Sequence, residues 1–183
     1  ILGRMLEAAE AKSCDFFILG GDVNSAFLPM DVIHGPIAQL CEYGAASKPV
    51  LYVRGNHEMR GPYSDRFLDY FATSIGTTYD LLRFGDTAFL LLDAWEDKSA
   101  NTPGHTYCQW NLDEVFYQQE TEWFNQAMTD GKWTGAKRRI VVCHGAPYSH
   151  FDRYKSITEF TRKLTDPFFE GATPQFNINM WLT

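Results

Sequence analysis

No stretch of this 183-residue sequence approaches the roughly 18 consecutive apolar residues of a membrane-spanning helix. The apolar runs at 16–19 and 88–92 are short and read as buried strands. Positive charge is also scarce. The 16 Lys and Arg stand against 23 Asp and Glu, a formal net charge of -7, which argues against a broad basic surface that grips nucleic acid by its phosphates. An anionic substrate is not excluded by this, because a bound metal reverses the local field. There is no CxxC pair. Cys14, Cys41, Cys108 and Cys143 are widely spaced, which points to free thiols and offers no zinc ribbon. Internal repeats, low-complexity tracts and linkers are missing too. The first residue is Ile1, not Met, and Leu2, Met5, Leu6 and Ala9 already recur at helical spacing. The chain is therefore expected to continue upstream, and any export signal would lie there, which leaves the compartment open.

What is present suits one globular domain over residues 1–183. Hydrophobic residues make up 45% and charged residues 21%, ordinary values for a chain long enough to bury a substantial core. Helices are predicted over 1–12, over 29–43 with a break at Gly35-Pro36, over 65–74 behind a Ser64 N-cap, over 113–129 with Gly131 just past the end, and over 152–165. Strands are predicted at 15–19, 50–54, 78–84, 87–92, 139–143 and 178–182. The Gly85-Asp86 pair between two apolar runs predicts a hairpin. Residues 94–112 lack periodicity and read as a long loop of the kind that carries specificity. Strands alternating with helices predict a layered α/β domain.

Three predicted strands end alike. Phe16–Leu19 runs into Gly20-Gly21-Asp22, Val50–Val53 into Arg54-Gly55-Asn56-His57-Glu58, and Ile140–Cys143 into His144-Gly145. Ligands of open α/β sheets bind outside the carboxyl ends of the strands, and the glycines let the backbone turn there. A carboxylate, an amide oxygen and an imidazole form an oxygen and nitrogen set suited to zinc, manganese, iron or magnesium. Singly, each piece is a turn or a hydrogen-bonded loop residue. Together the set exceeds what a turn requires, since a turn needs Gly and Asn but not His57, Glu58 and His144.

These residues resemble the calcineurin-like metallophosphoesterase superfamily, whose ordered motifs are D-x-H, G-D, G-N-H-[DE], a lone His after a strand, and G-H-x-H. Three of the five are here: Gly21-Asp22, Gly55-Asn56-His57-Glu58 and His144. The resemblance implies a four-layer α/β/β/α sandwich of mixed sheets with two metal ions (Mn, Fe, Zn or Mg) at the strand ends. It implies hydrolysis of phosphomonoesters or phosphodiesters by a metal-bound hydroxide. By it, Asp22 bridges the two metals, and Asn56 and His144 bind the second. His57 is no ligand; as the catalytic residue it contacts the phosphate and protonates the leaving group, with Glu58 orienting it. The layout is similar to that of purple acid phosphatases, but Ser25 stands where their ligand Tyr would be. Val23-Asn24-Ser25 also departs from the second Asp and the Arg-Gly of serine/threonine protein phosphatases. The D-x-H and G-H-x-H motifs are absent, and their expected places coincide with the two chain ends. The sequence thus reads as an internal fragment, impaired on its own.

Other candidates carry less. His34 reads as a surface loop residue, His105 as an exposed member of the 94–112 loop, and His150, six residues after His144, more readily as lying outside the pocket than as lining it. Arg60 and Arg153 read as solvated surface cations rather than phosphate contacts. Cys143 reads as a small apolar residue, and Trp123, Phe124 and Met128 as core. Two rivals to a general phosphoesterase share its fold: a nucleotide phosphodiesterase or nuclease, and a non-catalytic metal-binding scaffold. Retention of His57 favours an enzyme, since a scaffold needs no proton donor. The expected partner is a phosphate-ester substrate, without a membrane segment.

Overall fold

In the computed structural model, which describes residues 2–8, 13–23, 25–27, 38–43, 47–93, 114–145, 178 and 180–182, the hairpin predicted around Gly85-Asp86 forms. Strands β3 (Asp80–Phe84) and β4 (Thr87–Leu92) pair antiparallel across a two-residue turn, with Gly85 at a φ of 57. A primed hairpin turn demands that conformation, and Gly adopts it without a Cβ clash. Strand β4 then pairs in parallel with β5 (Arg138–Cys143), and β5 with β6 (Met180–Leu182). A second sheet holds β1 (Phe17–Leu19) parallel to β2 (Val50–Tyr52). The fold is mixed α/β with two sheets.

Alternation along β4 explains how the layers bind. Phe89 and Leu91 pack with Leu51, Val53 and Val142, so this face of the four-stranded sheet meets residues of the β1–β2 pair. Ala88, Leu90 and Leu92 pack instead with Phe124 and Ala127 of the helix Glu114–Ala127, Met128 just past its end, and Trp133 of the helix Gly131–Thr134. Phe17 of β1 turns to Leu6 of the helix Leu2–Ala8 and to Leu40. Each fully buried Leu or Phe contributes about 1.5–3 kcal/mol by leaving water. Apolar contact therefore stacks the layers and leaves polar chemistry to the strand ends.

Several local expectations are corrected. Ser64 is not an N-cap: it begins a 3-10 turn, Ser64–Arg66, capped by Tyr63 without a side-chain bond. The predicted helix over 65–74 shrinks to Phe67–Tyr70, where Phe67 sinks into a ring cluster with Phe27, Tyr52 and Phe71. Gly131 does not close the long helix. It opens the next one, whose N-cap Asp130 accepts a hydrogen bond from the Lys132 N–H. The predicted 94–112 loop, the 152–165 helix, most of 29–43, and His34, Cys108, His105, His150 and Arg153 lie outside the described residues. Among the described residues Cys14, Cys41 and Cys143 form no disulfide. Among the described residues no helix is long and apolar enough to cross a membrane.

A buried ionic cluster ties the ends of β2 and β4 together. Arg54 donates through Nε and Nη2 to Asp93 Oδ2 at 2.9 and 2.6 Å, and the Thr78 hydroxyl donates to the same oxygen. The Asp93 N–H donates to Glu120 Oε1 at 2.9 Å, while Glu120 Oε2 has no partner among the described residues. Complete burial, then the charge of Asp93, pushes the Glu120 carboxyl well above its ordinary 4.5. A carboxyl raised in the folded state gives stability that is whole below its unfolded value and is lost as pH climbs through the raised one. Glu120→Gln keeps the oxygen that serves Asp93 and removes the charge. It is expected to flatten the decline in stability as pH rises above the ordinary carboxylate range, a slope that denaturant titrations of the native and variant chains over a series of pH values would measure.

Candidate functional site

The site begins with three strand ends held side by side. Strand β1 delivers Asp22, β2 delivers Asn56 and His57, and β5 delivers His144. Parallel pairing of Leu19 with Tyr52 aligns the first two, and the Val53 N–H continues the ladder to the Leu19 carbonyl at 2.9 Å. His144 crosses from the other sheet, its Nδ1 2.6 Å from the Gly20 carbonyl. Close approach makes Gly21 indispensable. A Cβ there would lie 2.6 Å from both Gly55 N and His144 Nδ1, and its φ is 90.

Asp22 adopts a φ of 53, the sole described non-glycine residue in the left-handed region. Such strain persists where neighbours over-determine it. Here one residue supplies the restraint. Glu58 Oε2 accepts the Asp22 and Gly55 N–H groups at 2.8 Å each, and Oε1 accepts the Val23 N–H at 2.9 Å and the Tyr52 hydroxyl at 2.8 Å. Burial, then the charge and hydrogen bond of Glu58, push the Tyr52 phenol far up, so it remains a donor. The expectation that Glu58 orients His57 is thereby corrected. Its carboxylate, 2% exposed, spends all four bonds on the two loops and none on the imidazole. His57 is oriented instead by the Ser25 carbonyl, 2.9 Å from its Nδ1.

The Asp22 carboxylate is divided. Oδ1 accepts the His57 N–H at 2.9 Å. Oδ2 faces His144 Nε2 at 3.4 Å and His57 Nε2 at 3.7 Å. Burial works to raise the Asp22 carboxyl, but the His144 hydrogen bond, the His57 N–H and the two imidazoles outweigh it and hold the group below 3.8. Burial likewise works to lower His144, yet Asp22 and the Gly20 carbonyl raise it above 6.5. Both shifts have one meaning: this gap favours positive charge.

That preference is the test of whether a metal suits the residues. With Nδ1–H given to Gly20, His144 presents Nε2 to Asp22 Oδ2, the arrangement by which a ligating imidazole is fixed through its other nitrogen. Two donors 3.4 Å apart also match the spacing of ligands that each stand about 2.1 Å from one ion. Among the described residues no three His, Cys, Asp or Glu side chains gather at one point. Asp22 and His144 thus form one edge of a site, and Asn56 lies in the adjoining turn, half-buried.

Arg60 departs from its expected surface role. Its Nη1 lies 2.9 Å from His57 Nε2, and the residue is half-buried. Arg54, Tyr52 and the Ser25 carbonyl also escaped the sequence reading. Of these, only Arg54 had a signal, a cation at a strand end in a chain with Asp93 at the end of another.

Comparison with curated proteins finds no match. The family model for calcineurin-like phosphoesterase matches residues 2–179, a span that includes every strand end described above. The chain belongs to the calcineurin-like phosphoesterase family, whose members carry out metal-dependent hydrolysis of phosphoesters.

Proposed function

We propose that this chain belongs to a hydrolase for phosphomonoesters or phosphodiesters, working through two metal ions on a four-layer α/β/β/α sandwich formed as a single domain. The observation that carries the reading is the 3.4 Å gap between Asp22 Oδ2 and His144 Nε2, the spacing of two ligands on one ion. The layer arrangement is supported by the three apolar interfaces: helix on β1, sheet on sheet, and sheet on the helix Glu114–Ala127.

In this proposal Asp22, Asn56 and His144 hold metal. Bound ions there would acidify a water and screen the phosphoryl charge. Asp22 offers Oδ2 while Oδ1 stays on the His57 N–H, so the same carboxylate that holds metal also fixes the backbone of the catalytic loop. His57, its Nδ1–H on the Ser25 carbonyl, directs Nε2 into the site. From that atom it meets the phosphoryl group and passes a proton to the leaving oxygen, a service typically worth about 10²–10⁴ in rate.

The test is His57→Ala in the protein expressed from its full reading frame. Turnover of an aryl phosphate should fall by about 10²–10⁴, while metal content by elemental analysis stays at the wild-type level. Unchanged turnover, or loss of metal with the side chain, would remove His57 from this role.

A further inference from the structure

The guanidinium of Arg60 lies against the His57 ring, its Nη1 3.4 Å from Nδ1. Its Nη1 is 2.9 Å from His57 Nε2, the ring atom that also faces Asp22 Oδ2 at 3.7 Å. Its backbone is pinned on both sides. The Arg60 N–H donates to the His57 carbonyl at 3.1 Å, and the Arg60 carbonyl accepts the Phe27 N–H at 2.6 Å. The next residue, Gly61, has a φ of 92, and a Cβ there would come 2.5 Å from the Phe27 carbonyl oxygen. The segment bearing Arg60 is therefore locked to the 25–27 loop, and the side chain starts from a fixed point.

His57 does not depend on Arg60 for its orientation. The ring is already oriented through Nδ1 by the Ser25 carbonyl. An imidazole nitrogen engages one of the five N–H groups of an arginine and takes no benefit from its planar fork. Two non-bridging phosphoryl oxygens match that fork and carry the charge that strengthens each bond. A guanidinium adds its charge to that which bound metal would bring to an approaching phosphate.

We propose that Arg60 is a substrate-binding residue that clamps the non-bridging oxygens of the phosphoester, leaving His57 Nε2 as it does so. This rests on the proposed phosphoesterase reading and adds to it the residue that recognises the phosphoryl group.

The experiment uses the protein from its full reading frame with Mn²⁺, an aryl phosphate as substrate and inorganic phosphate as competing probe. Arg60→Ala should raise both KM and the phosphate inhibition constant by about ten- to a hundredfold, the worth of a charge-assisted bond. Mn²⁺ affinity by calorimetry and the melting temperature should stay at wild-type values. Arg60→Gln keeps a neutral donor for His57 and should show the same rise. Unchanged KM and inhibition constant in an active enzyme would overturn the clamp and leave the phosphoesterase reading standing. A fall in Mn²⁺ affinity or melting temperature that accounts for the kinetic loss would overturn it as well, by making the arginine structural. A wild-type protein that neither hydrolyses phosphoesters nor binds phosphate would overturn both.

Discussion

Glu58→Gln is expected to destabilise the protein by about 3 kcal/mol or more, for a change of one atom, because two or more hydrogen bonds to a buried charge are lost. Each carboxylate oxygen of Glu58 accepts from two donors, three of them backbone N–H groups and the fourth the Tyr52 hydroxyl. An amide has only one oxygen. If its nitrogen takes the Oε2 place, it faces the N–H groups of Asp22 and Gly55. If it takes the Oε1 place, Tyr52 can turn its hydroxyl to accept, but the Val23 N–H stays opposed. No flip satisfies all four, and at 2% exposure water cannot mend the loss. The restraint on Asp22 goes with it, since the left-handed conformation of that residue is held through its own N–H. Metal uptake by the full-length protein should therefore fall along with the denaturant midpoint. A Glu58→Gln protein within about 0.5 kcal/mol of wild type, the range of an inconsequential surface change, would show that Glu58 is not the staple of the two loops.

This staple also marks how far the sequence could be read. The strand ends were legible because apolar runs of four residues stop abruptly at Gly-Asp, Gly-Asn-His and His-Gly, and period and punctuation together place those residues at one edge. The hairpin was legible for the same reason. What Glu58 does was not, because its partners are backbone N–H groups, and every residue except proline has one. The Ser25 carbonyl that orients His57 is hidden in the same way. Arg60 was read as surface since its meaning lies in a distance to His57, three residues away, which depends on a turn rather than on a helix or strand. The Arg54–Asp93–Glu120 cluster joins residues 27 to 39 positions apart and shows no local pattern. Gly131 was misread because a glycine after a helix suggests a stop; the preceding Asp130, itself an N-cap residue, carried the better signal.

Gly55→Ala should disable the site from the opposite direction, by adding one carbon. An ideal Cβ at Gly55 overlaps Asp22 Oδ1 and lies 2.7 Å from Asp22 N and 2.9 Å from Glu58 Oε2. None of these atoms is the loose end of a flexible chain. Asp22 N is bound to Glu58, Asp22 Oδ1 is bound to the His57 N–H, and Glu58 is held by its four donors. The overlap is relieved only by parting the β1 and β2 loops, which moves the Asp22 carboxylate away from His144 Nε2. Overpacking of this kind costs about 1–3 kcal/mol in stability. The larger consequence falls on metal binding, since a displacement of about half an ångström already spoils a preorganised set of ligands. Gly20→Ala is the matched control. It lies as close to Asp22 in sequence, yet its Cβ would meet nothing within 4 Å, so stability and Mn²⁺ affinity should remain those of the wild type. Calorimetric titration of both variants with Mn²⁺ decides the matter. Undiminished affinity in a folded Gly55→Ala protein would mean that the position of the Asp22 carboxylate does not govern the metal site, and the assignment of Asp22 as its first ligand would fall with it.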